Sequence, residues 1–333
     1  MDKISIAAPS NIALVKYWGM SNSQLTLPCA PSLSMTLKYC VSHCTVEPIP
    51  GARADQILWK PASGPLIPAE GDMRRGIENH LARLRRHLNY HVPLRIATSN
   101  NFPTGAGIAS SASGFAAVAL AFAQLCTGKT PAADLSLLAR MSGSGSAARS
   151  IPGGYVLWPA NATDLDSPAQ RIATAAHWPL ADLIAVVDST PKPVSSLEGH
   201  RRAASSPFFN TRLGLLPDRL LRVRRAIEQR DFNTLAETVE QEAIELHIIA
   251  MTSLPPIFYW LPATLQVLAH VRKLRHDGLK VCATMDAGPN VHILCEATES
   301  EAVLAELKGS AAVQEWIIDG AGDGPTRLDQ HLF

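Results

Sequence analysis

Apolar positions recur at two periods along this chain, and the switches between them outline its elements. Near the start the period is two. Ile4-Ser5-Ile6 alternates and Leu33-Ser34-Met35-Thr36-Leu37 alternates again, so residues 1–50 read as strands and turns. Gly51, Pro61, Gly64, Pro65 and Pro68 predict hairpins or loop over 51–71. From Met73 to Leu88 the period is helical, with Ile77, Leu81, Leu84 and Leu88 on one face and arginines solvated on the rest. Leu94 to Thr98 predicts a short strand, followed by a small-residue helix reaching about Cys126. Thr130-Pro131 opens another helix with a capping residue and a first-turn proline. Leu183 to Asp188 is a buried-type strand. Three helical patterns follow at about 217–229, 232–250 and 262–277, the last ending at Gly278. Strands at 279–284 and 290–296, a helix near 299–307 and a strand near 313–318 complete an α+β pattern. The expected division is 1–188 and 189–333.

Composition narrows the classes. With 333 residues, 47% of them hydrophobic and 18% charged, the chain can bury a sizeable core, which excludes overall disorder. Thirty Lys+Arg against 29 Asp+Glu give no global basic field, so neither nucleic acid nor an anionic membrane is an expected partner. The most apolar stretch, Phe115–Cys126, is shorter than the roughly twenty residues of a membrane helix. Met1-Asp2-Lys3-Ile4 carries no apolar signal segment. The six cysteines form no C-x-x-C pair, and Cys40, His43 and Cys44 lie in an alternating run that sends His43 and Cys44 to opposite faces. Reduced thiols in a cytoplasmic protein are the expectation.

The strongest chemical signal is Pro103 to Ser113, between a strand and a helix. Gly105 and Gly107 let the backbone curl so that N–H groups converge at a helix N-terminus. Ser110, Ser111 and Ser113 add hydroxyls for phosphate or magnesium. The spacing is neither that of a Walker A loop nor that of G-x-G-x-x-G.

Pro-x3-Gly-Ile-x-Ser-Ser-x-Ser resembles the phosphate loop of the GHMP kinases. Four further segments resemble the mevalonate diphosphate decarboxylase branch. They are Pro9-Ser10-Asn11-Ile12-Ala13-Leu14-Val15-Lys16-Tyr17-Trp18-Gly19, Ser142 to Ser150, Lys192 to Gly199 with Ser205-Ser206-Pro207, and Thr284-Met285-Asp286-Ala287-Gly288-Pro289-Asn290. The resemblance implies a two-layer fold, ribosomal-S5-like in its N-terminal half and ferredoxin-like in its C-terminal half. It also implies a homodimer, ATP with Mg2+, and a phosphorylated mevalonate as substrate. In the implied reaction a tertiary C3 hydroxyl is phosphorylated, then phosphate and CO2 leave. Asp286 would orient or deprotonate the hydroxyl, Lys16 would keep Asp286 ionised, and Arg149 would grip the substrate carboxylate. Ser196 would lie near the C3 oxygen. Asn11, Tyr17, Met20, Ser144, Gly145 and Ser146 would line the substrate side. The resemblance identifies no magnesium ligands.

One position departs from the pattern. The family signature continues Lys-Tyr-Trp-Gly-Lys, whereas this chain has Lys16-Tyr17-Trp18-Gly19-Met20. The missing lysine helps bind a substrate diphosphate in the family. Its loss points to mevalonate 5-phosphate, giving isopentenyl phosphate. The alternatives are mevalonate 5-diphosphate with another cation compensating (Lys192, His200, Arg201 or Arg202), a kinase that stops at the 3-phosphate, and a non-catalytic ligand-binding protein.

Overall fold

A computed structural model describes residues 3–22, 27–103, 107–128, 132–159, 167–190 and 192–333. Strands β1 (Ile4–Val15), β2 (Met20–Asn22), β3 (Leu27–Pro28), β4 (Ser32–Pro48), β5 (Gln56–Trp59) and β6 (Ile67–Pro68) precede helix α1 (Gly71–Leu88). Next come β7 (Leu94–Asn100), α2 (Ser110–Thr127), α3 (Ala132–Arg140), α4 (Gly145–Arg149), β8 (Tyr155–Trp158), β9 (Gln170–Ala173) and β10 (Leu180–Val186). The rest comprises α5 (Ser196–Arg202), α6 (Phe209–Gln229), α7 (Phe232–Thr252), α8 (Pro262–His276), β11 (Val281–Thr284), β12 (Val291–Glu296), α9 (Ser300–Leu307), β13 (Glu315–Gly320) and β14 (Thr326–Leu328).

Two sheets carry the fold. The first runs β14-β1-β4-β7-β5-β6, with β8 beside β4 and β9 beside β8. The second runs β11-β12-β10-β13. One core lies between the first sheet and α1, α2 and α3. A second joins Ile12, Leu14, Leu33 and Met35 of the first sheet to Leu180, Ile184 and Leu294 of the second through α6 and α7. A third lies under α8 and α9. This is the α+β, two-half arrangement that the sequence predicts.

Some elements differ from expectation, each for a physical reason. The strand at 183–188, placed in the first half by the 188/189 division, hydrogen-bonds to β12 and β13 of the second sheet. An all-apolar strand does not tell which sheet takes it. Helix α6 begins at Phe209, eight residues ahead of Pro217, which lies inside it instead of opening it. Helix α2 spans 18 residues and by length and composition could cross a membrane. Here Ala116 to Ala123 on that helix are packed inside the first core. The proposed start of α3 at Thr130-Pro131 lies outside the described residues.

The two sheets are tied where β4 leaves register with β1. The pairing jumps from Pro9↔Val41 to Asn11↔Thr36, so residues 37–40 bulge away from β1. The N–H groups of Lys38, Tyr39 and Cys40 donate to the Asp319 carboxylate at 2.7, 2.9 and 2.7 Å. Asp319 sits on β13 and is 4% exposed. Replacing it with Ala strands three donors, one of them on buried Cys40, and should cost about 3 kcal/mol of unfolding free energy in urea. Asp319→Asn, which keeps one acceptor, should cost less. Equal stabilities for the two variants would discard this account.

Candidate active site

The site is assembled at the turn that follows β1. Lys16 is 1% exposed, and its Nζ donates to the Ala13 carbonyl at 2.5 Å and to Asp286 Oδ1 at 2.9 Å. Asp286 lies in the turn between β11 and β12, with 27% of its side chain exposed. Burial works to raise the Asp286 carboxyl, but the Lys16 ammonium beside it, helped by His292 and Arg149, holds it below the usual aspartate range. Desolvation pulls the Lys16 ammonium below its ordinary value, against the raising effect of Asp286. His247 on α7 donates Nε2–H to the Asp286 carbonyl at 3.0 Å. Burial keeps that imidazole neutral, its pKa lowered to about 3.

Arg149, at the end of α4, is 2% exposed. Its Nη1 donates to Ser32 Oγ at 2.6 Å, and its Nε has no partner among the described residues. Burial lowers the guanidinium to about 10, while Asp286 and Tyr17 oppose the shift, so it stays charged at neutral pH. The Tyr17 hydroxyl is also buried without a partner among the described residues. Its ring lies 5.2 Å from Trp158 and 4.2 Å from His200, centroid to centroid. Gly145 has to be glycine here, because a Cβ would lie 2.5 Å from Trp158 and 2.8 Å from Tyr17. The structure therefore brings Lys16, Tyr17, Gly145, Arg149 and Asp286 to one place. Among the described residues the Nε of Arg149 and the hydroxyl of Tyr17 are buried donors left unsatisfied.

The other expected residues divide. The Ser144 and Ser146 hydroxyls bond each other at 3.1 Å. Asn11 Nδ2 donates to Ser150 Oγ and the Ser146 carbonyl at 2.8 and 3.2 Å, so its amide nitrogen fixes α4, while its Oδ1 has no partner among the described residues. Ser196 opens α5 and accepts from Lys192 Nζ at 3.3 Å. Met20 lines a pocket with His200 and Arg201, so one cation, Arg201, stands beside the uncharged position.

The glycine-serine segment reaches the aspartate loop. Gly107 has φ +86°, and a Cβ there would sit 2.9 Å from the Gly288 carbonyl oxygen. Ser10 Oγ donates to the Ile108 carbonyl at 2.5 Å. Ser110 and Ser111 form the first turn of α2, and Pro103 is half-buried ahead of it. Ser113 departs from the expectation: its hydroxyl is buried against Ser42 Oγ at 2.7 Å, pinning α2 to β4. Gly105 lies outside the described residues.

Sequence reasoning missed the groups that hold Lys16. The backbone N–H of Lys16 donates to Glu242 Oε2 at 2.9 Å. Arg212 Nη2 donates to the Lys16 carbonyl at 3.1 Å and to the same Glu242 oxygen at 2.9 Å. Both side chains are fully buried. Ser32 and His247 carried no motif signal as positioning groups either.

Comparison with known proteins agrees with this geometry. Residues 8–169 match the model of the diphosphomevalonate decarboxylase-like N-terminal domain, and residues 182–325 match that of the mevalonate 5-diphosphate decarboxylase C-terminal domain. The chain is 36% identical to diphosphomevalonate decarboxylase mvd1 of Aspergillus fumigatus, over 92% of this chain and 80% of that protein. It is 34% identical to the Ganoderma lucidum diphosphomevalonate decarboxylase, over 96% of this chain and 89% of that one. Among solved structures, the Staphylococcus aureus mevalonate diphosphate decarboxylase superposes with a TM-score of 0.91 at 30% identity, covering 98% of both chains. MDDEF in complex with MVAPP, AMPPCP and magnesium gives 0.89 at 34% identity, covering 98% of this chain and 99% of that one. The fold, the Lys16–Asp286 pair and the matches along both halves converge: the chain is an enzyme of the diphosphomevalonate decarboxylase family.

Proposed function

We propose that this enzyme phosphorylates the C3 hydroxyl of mevalonate 5-diphosphate with ATP and then releases phosphate and CO2. The observation that carries the proposal is the 2.9 Å Lys16–Asp286 pair, with the buried Arg149 guanidinium close enough to act on both. Asp286 takes the hydroxyl proton or orients it as the oxygen attacks the terminal phosphoryl group. The C3–O bond then breaks with its electron pair going to phosphate. The C1–C2 bonding pair becomes the new C2=C3 double bond, and the carboxylate carbon leaves as CO2. Arg149 holds that carboxylate in line with the departing phosphate. Ser196, whose hydroxyl accepts from Lys192, would lie near the C3 oxygen.

The residues present fit a nucleotide phosphate chain. A glycine turn and two hydroxyls open an 18-residue helix beside the aspartate loop. Among the described residues no group of three or more His, Cys, Asp or Glu side chains could hold a metal ion. Magnesium would therefore be held by the phosphates, with the Ser110 and Ser111 hydroxyls as its protein contacts, and would neutralise phosphate charge. The homodimer and the cytoplasmic location belong to the same proposal. The free state of all six cysteines accords with a reducing compartment.

The preference for mevalonate 5-phosphate that Met20 suggests is not supported by the relatives, which are diphosphomevalonate decarboxylases. Arg201 in the Met20 pocket is a cation that could stand in for the missing lysine, which supports the 5-diphosphate reading. The 5-phosphate remains a second reading on the strength of Met20 alone. Purified protein with ATP and magnesium should release one CO2 per ADP, with the higher kcat/KM for the 5-diphosphate. ADP without CO2 would identify a kinase instead. A higher kcat/KM for the 5-phosphate would restore the second reading.

A further inference from the structure

The pocket beside the Lys16–Gly19 turn is lined by Gly19, Met20, Ser21, His200, Arg201 and Phe209. Its chemistry goes beyond the decarboxylase motifs. His200 is wedged between aromatic rings, 4.2 Å from Tyr17 and 4.7 Å from Trp18. Its Nδ1 accepts the Gly19 N–H at 3.0 Å. Burial, reinforced by Arg149, keeps the ring neutral, with a pKa of about 3. A neutral imidazole whose Nδ1 accepts must carry its proton on Nε2. Among the described residues that Nε2–H has no hydrogen-bond partner. The ring is thus locked in one tautomer, with a donor left for a ligand.

Arg201 supplies charge. The neighbouring Arg202 is already committed, its Nε to Glu198 at 2.7 Å and its Nη1 to the Pro255 carbonyl at 3.5 Å. Arg201 only approaches the other Glu198 oxygen, at 3.8 Å, and its side chain is 58% exposed. It can turn into the pocket without breaking a short hydrogen bond. A guanidinium and a neutral N–H facing a glycine turn suit a terminal phosphate.

We propose that His200 and Arg201 hold the outer phosphate of the substrate's diphosphate, Arg201 supplying the charge that Met20 does not. The inference rests on the 5-diphosphate reading above. The Tyr17 ring that stacks on His200 belongs to the turn that presents Lys16 to Asp286. The pocket therefore fixes the far end of the substrate relative to the reacting end. A 5-phosphate lacks the outer group, so Arg201 contributes to the longer substrate alone.

The test compares wild type with Arg201→Gln and with Met20→Lys/Arg201→Gln. The wild type is first assayed for CO2 release from both substrates. Arg201→Gln should raise the KM for the 5-diphosphate about tenfold. For the 5-phosphate, the KM, or the inhibition constant if it is not turned over, should stay within about twofold. Met20→Lys in the Arg201→Gln background should restore the 5-diphosphate KM. A wild type that releases CO2 from neither substrate overturns the proposed function. A wild type that decarboxylates only the 5-phosphate, or an Arg201→Gln variant that moves both substrates equally or neither, overturns the pocket assignment and leaves the decarboxylase reading standing.

Discussion

Asp286→Asn should lower kcat about 10³-fold for ADP formation and CO2 release together, with ATP affinity unchanged. The two activities fall together because both depend on phosphorylation of the C3 oxygen. The amide keeps the size of the carboxylate but can neither accept a proton nor pair with the Lys16 ammonium. The fully buried Lys16 ammonium would then lose its Asp286 partner and deprotonate more readily. The wild type also has a pH signature. The folded-state pKa of Asp286 is depressed, so its contribution is present above the ordinary aspartate value of about 3.9 and is lost as pH falls through the lower folded value. The acidic limb of a kcat/KM profile set by this group therefore lies below the usual carboxylate range. Measurements of ADP, CO2 and ATP binding on one preparation decide the matter. ADP production at the wild-type rate without CO2 would show that Asp286 serves only the second step.

The elements that position Asp286 were partly legible in the chain. Periodicity located β11, β12, α8 and its Gly278 stop, because each combines a clean pattern with turn chemistry. The Lys16–Asp286 contact spans 270 residues, and no local pattern can announce such a pairing. It became legible only because each partner sits in a recognisable segment. Glu242 and Arg212 had no such advantage. In a 3.6-residue pattern a charged residue on a helix reads as solvent-facing, yet both are buried where α6 and α7 cross the end of β1. The Ser113 expectation failed for a related reason. A serine one turn into a helix looks like a phosphate ligand until the sheet beneath it offers Ser42.

Glu242 and Arg212 carry the second large effect. Their ion pair is buried and incompletely satisfied: Glu242 Oε1 and Arg212 Nε and Nη1 have no partners among the described residues. Such a pair stabilises a fold little, since desolvation offsets its attraction, but removing one partner strands the other. Glu242→Leu should therefore cost about 3–5 kcal/mol of unfolding free energy. It should also lower kcat, because the Lys16 N–H loses its acceptor. Glu242→Gln keeps an acceptor oxygen and should fall between Leu and wild type in both respects. The discriminating variant is Arg212→Met/Glu242→Leu, which removes both charges at roughly constant volume. Its stability should return to near the wild-type value. Its kcat should stay low with KM little changed, because neither the N–H nor the C=O of Lys16 is held and the ammonium no longer meets Asp286 in fixed geometry. Recovery of stability and kcat together would mean that the pair fills space and that the Lys16 turn is held by β1 alone.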